Sequence, residues 1–143
     1  QWSGGPYAGF SEQKPWFALN PNFPEVNVAK AEADPDSILN FYRAALKLRK
    51  ETPAVLWGDY REYRKGSKKL YAYSREYEGK KLLVICSFTS KRAKFKAPKG
   101  FALEGKEPVL CNYPDAPLRH RKFKTRPYET RVYVLSQAAG AQR

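Results

Sequence analysis

The 143-residue chain contains no methionine, so it is expected to lack its own initiator and to be processed, trimmed or a piece of something longer. It has a single histidine, His120, and two cysteines, Cys86 and Cys111. Two cysteines cannot define a disulfide framework. Standing 25 positions apart with one histidine, they form no zinc ligand set either; neither metal nor cofactor is expected. Both lie in apolar, strand-like surroundings, which reads as small buried thiols in a reducing, cytoplasmic compartment. His120 stands among Arg119, Arg121 and Lys122, cations that disfavour its protonation, and is read as a surface residue rather than a base. No window approaches the roughly 18 consecutive apolar residues of a membrane span. The start, Gln1-Trp2-Ser3-Gly4-Gly5, has no basic-then-apolar signal pattern. A soluble chain without a membrane partner is expected.

Carboxylate pairs suited to acid and base chemistry are equally scarce. Asp34 and Asp36 are explained by helix capping, and Glu76 and Glu78 flank a hairpin tip, where a pair stays solvated. No glycine-rich phosphate loop precedes a helix, because Gly4-Gly5-Pro6 comes far too early. The expected set of catalytic residues and metal ligands is therefore empty.

Aromatic residues and positive charge are abundant. Apolar residues make up 42% and aromatics 15%, which excludes a disordered chain. The net charge of +13 is uneven: residues 1–60 hold six basic and seven acidic groups, and residues 61–143 hold 21 against 7, a net of +14. Such a half could attract nucleic acid, an anionic membrane or a phosphorylated ligand. Without an RNA-reading motif or zinc finger, a lysine-rich solvated surface is the favoured reading and nucleic acid is not.

Residues 1–33 are rich in glycine, proline and asparagine and show no apolar period, which predicts one long loop. Its load of Trp2, Tyr7, Phe10, Trp16, Phe17 and Phe23 suggests that it packs against something. A helix is predicted from Asp34 as N-cap and Pro35 at its first position to about Glu51, with a stripe of Ile38, Phe41, Tyr42, Ala45 and Leu46 to bury. From Val55 onward, short strands and turns predict an antiparallel sheet domain of about seven strands. They include a hairpin of residues 70–75 and 81–88 turned at Gly79, strands around Ala93, Phe95 and Ala97, at 108–113 and at 129–135, and a loose tail at 136–143.

Exposed tryptophan stacks on the apolar faces of sugars as well as in protein cores, so Trp2, Trp16 and Trp57 are candidate sugar-stacking residues; the alternative is that they are packed structural aromatics. Basic and aromatic residues interleave from Arg64 to Tyr77 and in Lys94-Phe95-Lys96, as in single-strand binders, yet one-sided strands alternate apolar residues with lysine simply to keep one face wet.

Several ordered segments carry a family resemblance. Gln1-Trp2, Ala8-Gly9-Phe10, Lys14-Pro15-Trp16, Asn20-Pro21-Asn22, Asn27-Val28, the run from Asp34 to Arg43, and Leu48-Arg49-Lys50 resemble the end of the catalytic domain of glycoside hydrolase family 13, the α-amylase family, in its α-glucosidases, oligo-1,6-glucosidases and trehalose-6-phosphate hydrolases. Tyr71-Ala72-Tyr73-Ser74-Arg75, Leu82-Leu83-Val84-Ile85, Asn112-Tyr113-Pro114 and the run from Arg126 to Tyr133 resemble that family's C-terminal β-domain. The resemblance implies a mainly β chain: residues 1–51 are the last loop and helix of a (β/α)8 barrel, and residues 52–135 an antiparallel β-sandwich. It also implies a retaining α-glucosidase as parent, whose aspartate and glutamate machinery maps onto no residue here, so that the fragment is structural and inactive by itself. Gln1 and Trp2 are then candidates for the rim of the sugar pocket, although the family usually places an aspartate where Ser3 stands. The implied partners are the missing barrel, an α-linked gluco-oligosaccharide at the parent's active site, and copies of the chain associating through the helix stripe.

Overall fold

The computed structural model describes residues 1–103, 105–114 and 121–136. The chain divides into two compact units, residues 1–47 and 48–143.

In the first unit, the expected loop contains two helical pieces. Pro6–Gly9 forms one turn in which Tyr7 and Ala8 adopt φ of 51° and 56°. The left-handed region costs about 1–2 kcal/mol for a residue with a Cβ. Buried Ala8 offsets this through its carbonyl, which accepts the N–H groups of Trp2 and Ser3 at 2.8 and 2.9 Å. Helix α1, Val28–Ala33, begins at Asn27, whose Oδ1 accepts the Lys30 N–H at 2.9 Å. The Val28 and Ala29 N–H groups, which have no partner within a helix, donate to the Gln1 and Trp2 carbonyls at 3.1 and 2.9 Å.

Helix α2, Ile38–Glu51, starts four residues after the predicted cap. Asp34 is already committed to α1, its N–H donating to the Lys30 carbonyl, and its Oδ1 accepts the Asp36 N–H in a tight turn. Ser37 takes the capping role instead, its Oγ accepting the Asn40 N–H at 3.2 Å. The same hydroxyl donates to the Ala31 carbonyl at 2.6 Å, and the Asn40 amide donates to the Ala31, Glu32 and Asp34 carbonyls at 3.1, 3.1 and 2.8 Å. The last carbonyls of α1 are thus satisfied by the first turn of α2. No residue of α2 is buried.

In the second unit, Pro53 does more than end α2. It opens a short helix α3, Pro53–Trp57, where a strand region was expected to begin, because proline suits the first helical position. Gly58 closes α3: a Cβ there would lie 2.4 Å from the Ala54 carbonyl oxygen and 3.0 Å from the Glu76 nitrogen. The strands are β1 (Asp59–Tyr63), β2 (Leu70–Tyr77), β3 (Lys80–Ser87), β4 (Ala93–Lys96), β5 (Leu110–Cys111), β6 (Lys122–Thr125) and β7 (Thr130–Ser136). They form a five-stranded antiparallel sheet of order β1-β2-β3-β7-β5 and a separate antiparallel pair, β4-β6.

The β2-β3 hairpin is longer than expected. Its turn is only Glu78-Gly79, with φ of 45° and 74°, the two positive values of a type I′ turn. Strand β5 is shorter than the predicted 108–113, because the Asn112 side chain leaves the ladder to bond Tyr128 O at 2.9 Å and the Thr130 N–H at 2.8 Å. Strand β6 was not anticipated, and β7 takes in Ser136, which had been assigned to the tail. The rest of that tail and His120 lie outside the described residues.

The larger core cluster joins Leu70, Ala72, Leu83, Ile85 and Tyr133 of the five-stranded sheet to Ala93 and Phe95 of the pair, with Ala97, Phe101 and Leu103. A smaller one joins Leu82, Val84 and Val132 to the half-buried Leu48 and Val55. The two faces of one sheet are therefore both apolar, and the run Leu82-Leu83-Val84-Ile85 is buried without a break.

Candidate functional site

Gln1 and Trp2 are fixed by the backbone. Their carbonyls receive the start of α1, and the Trp2 N–H donates to Ala8 O. The Gln1 amide nitrogen donates to Asn22 Oδ1 at 3.0 Å and to the Val26 carbonyl, which leaves Oε1 as the acceptor this side chain can offer. Trp2 is 59% exposed. Within the unit the aromatic loop is packed only in part: Tyr7 and Phe23 are half-buried, Phe10 and Phe17 are exposed, and Trp16, at 90% exposure, meets the neighbouring ring of Phe17 at a centroid distance of 4.2 Å. Trp57, at the end of α3, is 72% exposed. All three candidate tryptophans therefore present open ring surface, as stacking on a sugar or a further protein surface requires.

The second arrangement was missed in the sequence. Glu129 is fully buried, the one buried carboxylate among the described residues. It accepts from the Arg126 N–H at 2.9 Å, Arg126 Nε at 3.1 Å and Arg131 Nη2 at 2.8 Å. Arg131 also lies over the Phe123 ring, and Arg126 over the Tyr113 ring, at 4.9 and 4.4 Å. The Tyr113 hydroxyl donates to Pro127 O at 2.9 Å. A carboxylate neutralised by two guanidinium groups and closed off from water ties the approach of β7 to β6; it has no access to a substrate. Its signal was legible as an acid placed between two arginines ahead of Val132-Tyr133-Val134, residues read only as part of a family motif.

A third feature, also missed, lies on the face of the five-stranded sheet shared with Val84 and Cys86. Tyr60, Tyr71 and Tyr73 gather there, ring centroids 5.4 and 5.5 Å apart through Tyr73. The Tyr60 and Tyr71 hydroxyls are 2.8 Å apart. That hydrogen bond is the main reason the Tyr60 hydroxyl is pushed up to about 12. An open cleft of about 380 Å³ beside it is lined by Tyr60, Arg61, Glu62 and Lys65. Burial pushes the Cys86 and Cys111 thiols up, so both are poor nucleophiles. Among the described residues no three metal-ligating side chains converge, and no helix is long and apolar enough to cross a membrane.

Comparison with known proteins matches residues 1–58 to the family described as alpha amylase, catalytic domain. The oligo-1,6-glucosidase of Halalkalibacterium halodurans is 36% identical over 135 residues, which is 94% of this chain and 24% of that enzyme. The trehalose-6-phosphate hydrolase of Escherichia coli is 33% identical over 90% of this chain and 23% of its own length. Among solved structures, the trehalose-6-phosphate hydrolase of Bacillus licheniformis superimposes with a TM-score of 0.82 at 36% identity, covering 96% of this chain and 25% of that one. The trehalulose synthase of Pseudomonas mesoacidophila superimposes with a TM-score of 0.80 at 33% identity, over 94% and 24%. The chain spans about a quarter of the length of the curated relatives it matches.

Proposed function

The chain belongs to the α-amylase family, glycoside hydrolase family 13, and we propose that it is the closing quarter of an α-glucosidase acting on short α-linked gluco-oligosaccharides, most like an oligo-1,6-glucosidase. Residues 1–51 would be the last loop and helix of the catalytic barrel, and residues 52–135 a C-terminal sandwich. The carrying observation is coverage: relatives match nearly all of this chain while three quarters of each relative has no counterpart in it. The family's retaining chemistry needs two carboxylates about 5–5.5 Å apart across one bond, and the buried carboxylate described here is bound to two arginines. By this reading the chain alone is a scaffold, with Gln1 and Trp2 at the rim of a pocket built by the rest of the enzyme.

The exposed α2 stripe fits the same reading. Ile38, Tyr42 and Leu46 are 88%, 63% and 50% exposed, a face suited to missing barrel elements and, in their absence, to self-association. The test is release of glucose from isomaltose or p-nitrophenyl α-glucoside. The isolated chain is expected to stay at the buffer blank, and turnover by pure, tag-free material would overturn the scaffold reading. A carbohydrate-binding module is the second reading, favoured by the exposure of Trp2, Trp16 and Trp57. Tryptophan fluorescence titrated with maltooligosaccharides separates the two, because a scaffold gives no saturable change.

A further inference from the structure

The pair β4-β6 carries four lysines on one face. Its inward positions are Ala93, Phe95, Phe123 and Thr125; Ala93, Phe95 and Thr125 are buried, and the two phenylalanine rings meet at 5.5 Å. Strand alternation then turns Lys94, Lys96, Lys122 and Lys124 outward, and all four are exposed. The register sets Lys94 directly opposite Lys124 and Lys96 directly opposite Lys122. Like charges in directly opposed positions destabilise a sheet. Keeping a strand face wet does not require this, since threonine, serine or mixed charge would serve. Among the described residues none of the four forms an ion pair. The field extends to either side: residues 91–103 and 121–126 hold nine lysines and arginines and no aspartate or glutamate.

We propose that this lysine face is an interaction surface for the phosphate backbone of double-stranded nucleic acid, bound without regard to sequence. The four charges form a compact lattice with a spacing of about 6.8 Å along each strand and about 5 Å across. A duplex offers one charge per roughly 1.7 Å of its axis, a density that puts phosphates within reach of all four flexible lysine side chains. Single strands are a poorer match, because their binders offer exposed rings for base stacking and both rings of this sheet face inward. A lipid surface is also poorer, since the face has no apolar side chain to insert beside its charges. Nor does any outward position of the pair carry an arginine fork or an amide to read base edges. The proposal departs from the favoured reading of this part of the charge as simple solvation.

The decisive variant is K94E/K122E, which replaces each like pair with a Glu–Lys pair. It is expected to melt no lower than the parent chain, and that melting point verifies its fold. Anisotropy of a short fluorescein-labelled DNA duplex, titrated across about 50 to 200 mM salt, should give the parent a log–log slope steeper than about −3, as four phosphate contacts require. K94E/K122E should bind at least about tenfold more weakly and lose most of that slope. K14E/K106E, with the same change in net charge at exposed positions outside the β4-β6 pair, should retain most of the affinity. Should K94E/K122E fail to fold, K94Q/K122Q removes two of the charges without adding acids and should halve the slope, to about −1.8. Absence of saturable binding by the parent at low salt, equal losses in both charge variants, or phosphatidylglycerol vesicles held as tightly as duplex through the same lysines would each overturn the proposal.

Discussion

The two units cohere by opposite means. Residues 48–143 contain both apolar clusters, with Leu82, Leu83, Ile85, Leu103 and Tyr133 almost fully enclosed. In residues 1–47 the only buried side chains are Ala8 and Asn27, and order rests on main-chain carbonyls, the Asn27 and Asn40 amides and the Ser37 hydroxyl. Burial stabilises in proportion to the apolar area removed from water, whereas a net hydrogen bond contributes about 1 kcal/mol. A network of polar contacts can specify a conformation without supplying the free energy to hold it. Polar geometry without a core is what a segment built to lie against a larger body would show.

The largest test separates the units outright. Residues 48–143 produced alone should give a β-type circular dichroism spectrum and one cooperative melt. Residues 1–47 alone should be unfolded, since helices shorter than about 12–15 residues are marginal in water without packing. A cooperative melt from 1–47 would erase the contrast.

Ion pairs sharpen it next. Glu129→Gln leaves two guanidinium groups without their buried counter-charge and should lower stability by about 3–5 kcal/mol in urea unfolding. Glu32→Gln breaks the exposed Arg43 pair, 2.7 Å long with both side chains about half exposed, and should change it by no more than about 1 kcal/mol. Equal losses would mean that the first unit is more enclosed than its exposure indicates.

Much of the second unit was legible because its signals are local and redundant. Leu82-Leu83-Val84-Ile85 reads as part of a strand, and Gly79 marks its turn by the one property only glycine supplies cheaply. Strand β6 was not legible: Lys122-Phe123-Lys124-Thr125 carries a single ring, and its pairing with β4 is set by tertiary contact. The first unit misled in the other direction. The predicted cap, Asp34, gives way to Ser37 because α1, invisible as a six-residue helix without an apolar stripe, takes Asp34 for its own end. Glu129 was passed over although Arg126 and Arg131 flank it in sequence, since a glutamate reads as surface until its two arginines are seen to enclose it. Trp2, Trp16 and Trp57 were named as candidates from residue type alone, and sequence could not show that their rings lie open.

Truncation of apolar side chains should repeat the contrast. Leu83→Ala, at a fully enclosed position, is expected to cost about 2–5 kcal/mol, and Leu46→Ala, on the exposed α2 stripe, less than about 0.5 kcal/mol. If Leu46→Ala instead matched Leu83→Ala by chemical denaturation, the α2 face would be covered in solution, as self-association of the chain would produce; repeating the measurement at tenfold dilution would then recover the smaller value.

The smallest effect isolates polar geometry itself. Asn27 makes two kinds of contact with one side chain: its oxygen caps Lys30, and its nitrogen donates to Phe23 O at 2.9 Å. Asn27→Ala removes both and should cost about 1 kcal/mol, while Asn27→Asp keeps the capping oxygen, favours the helix dipole and loses only the donor. Amide exchange at Lys30 distinguishes them, because its N–H is protected by the cap alone. Exchange should accelerate in Asn27→Ala and remain near the parent rate in Asn27→Asp, with the β3 amides unchanged in both. Acceleration at β3 as well would show that the first unit's polar frame also supports the sheet, and the division between a core that stabilises and contacts that merely orient would not hold.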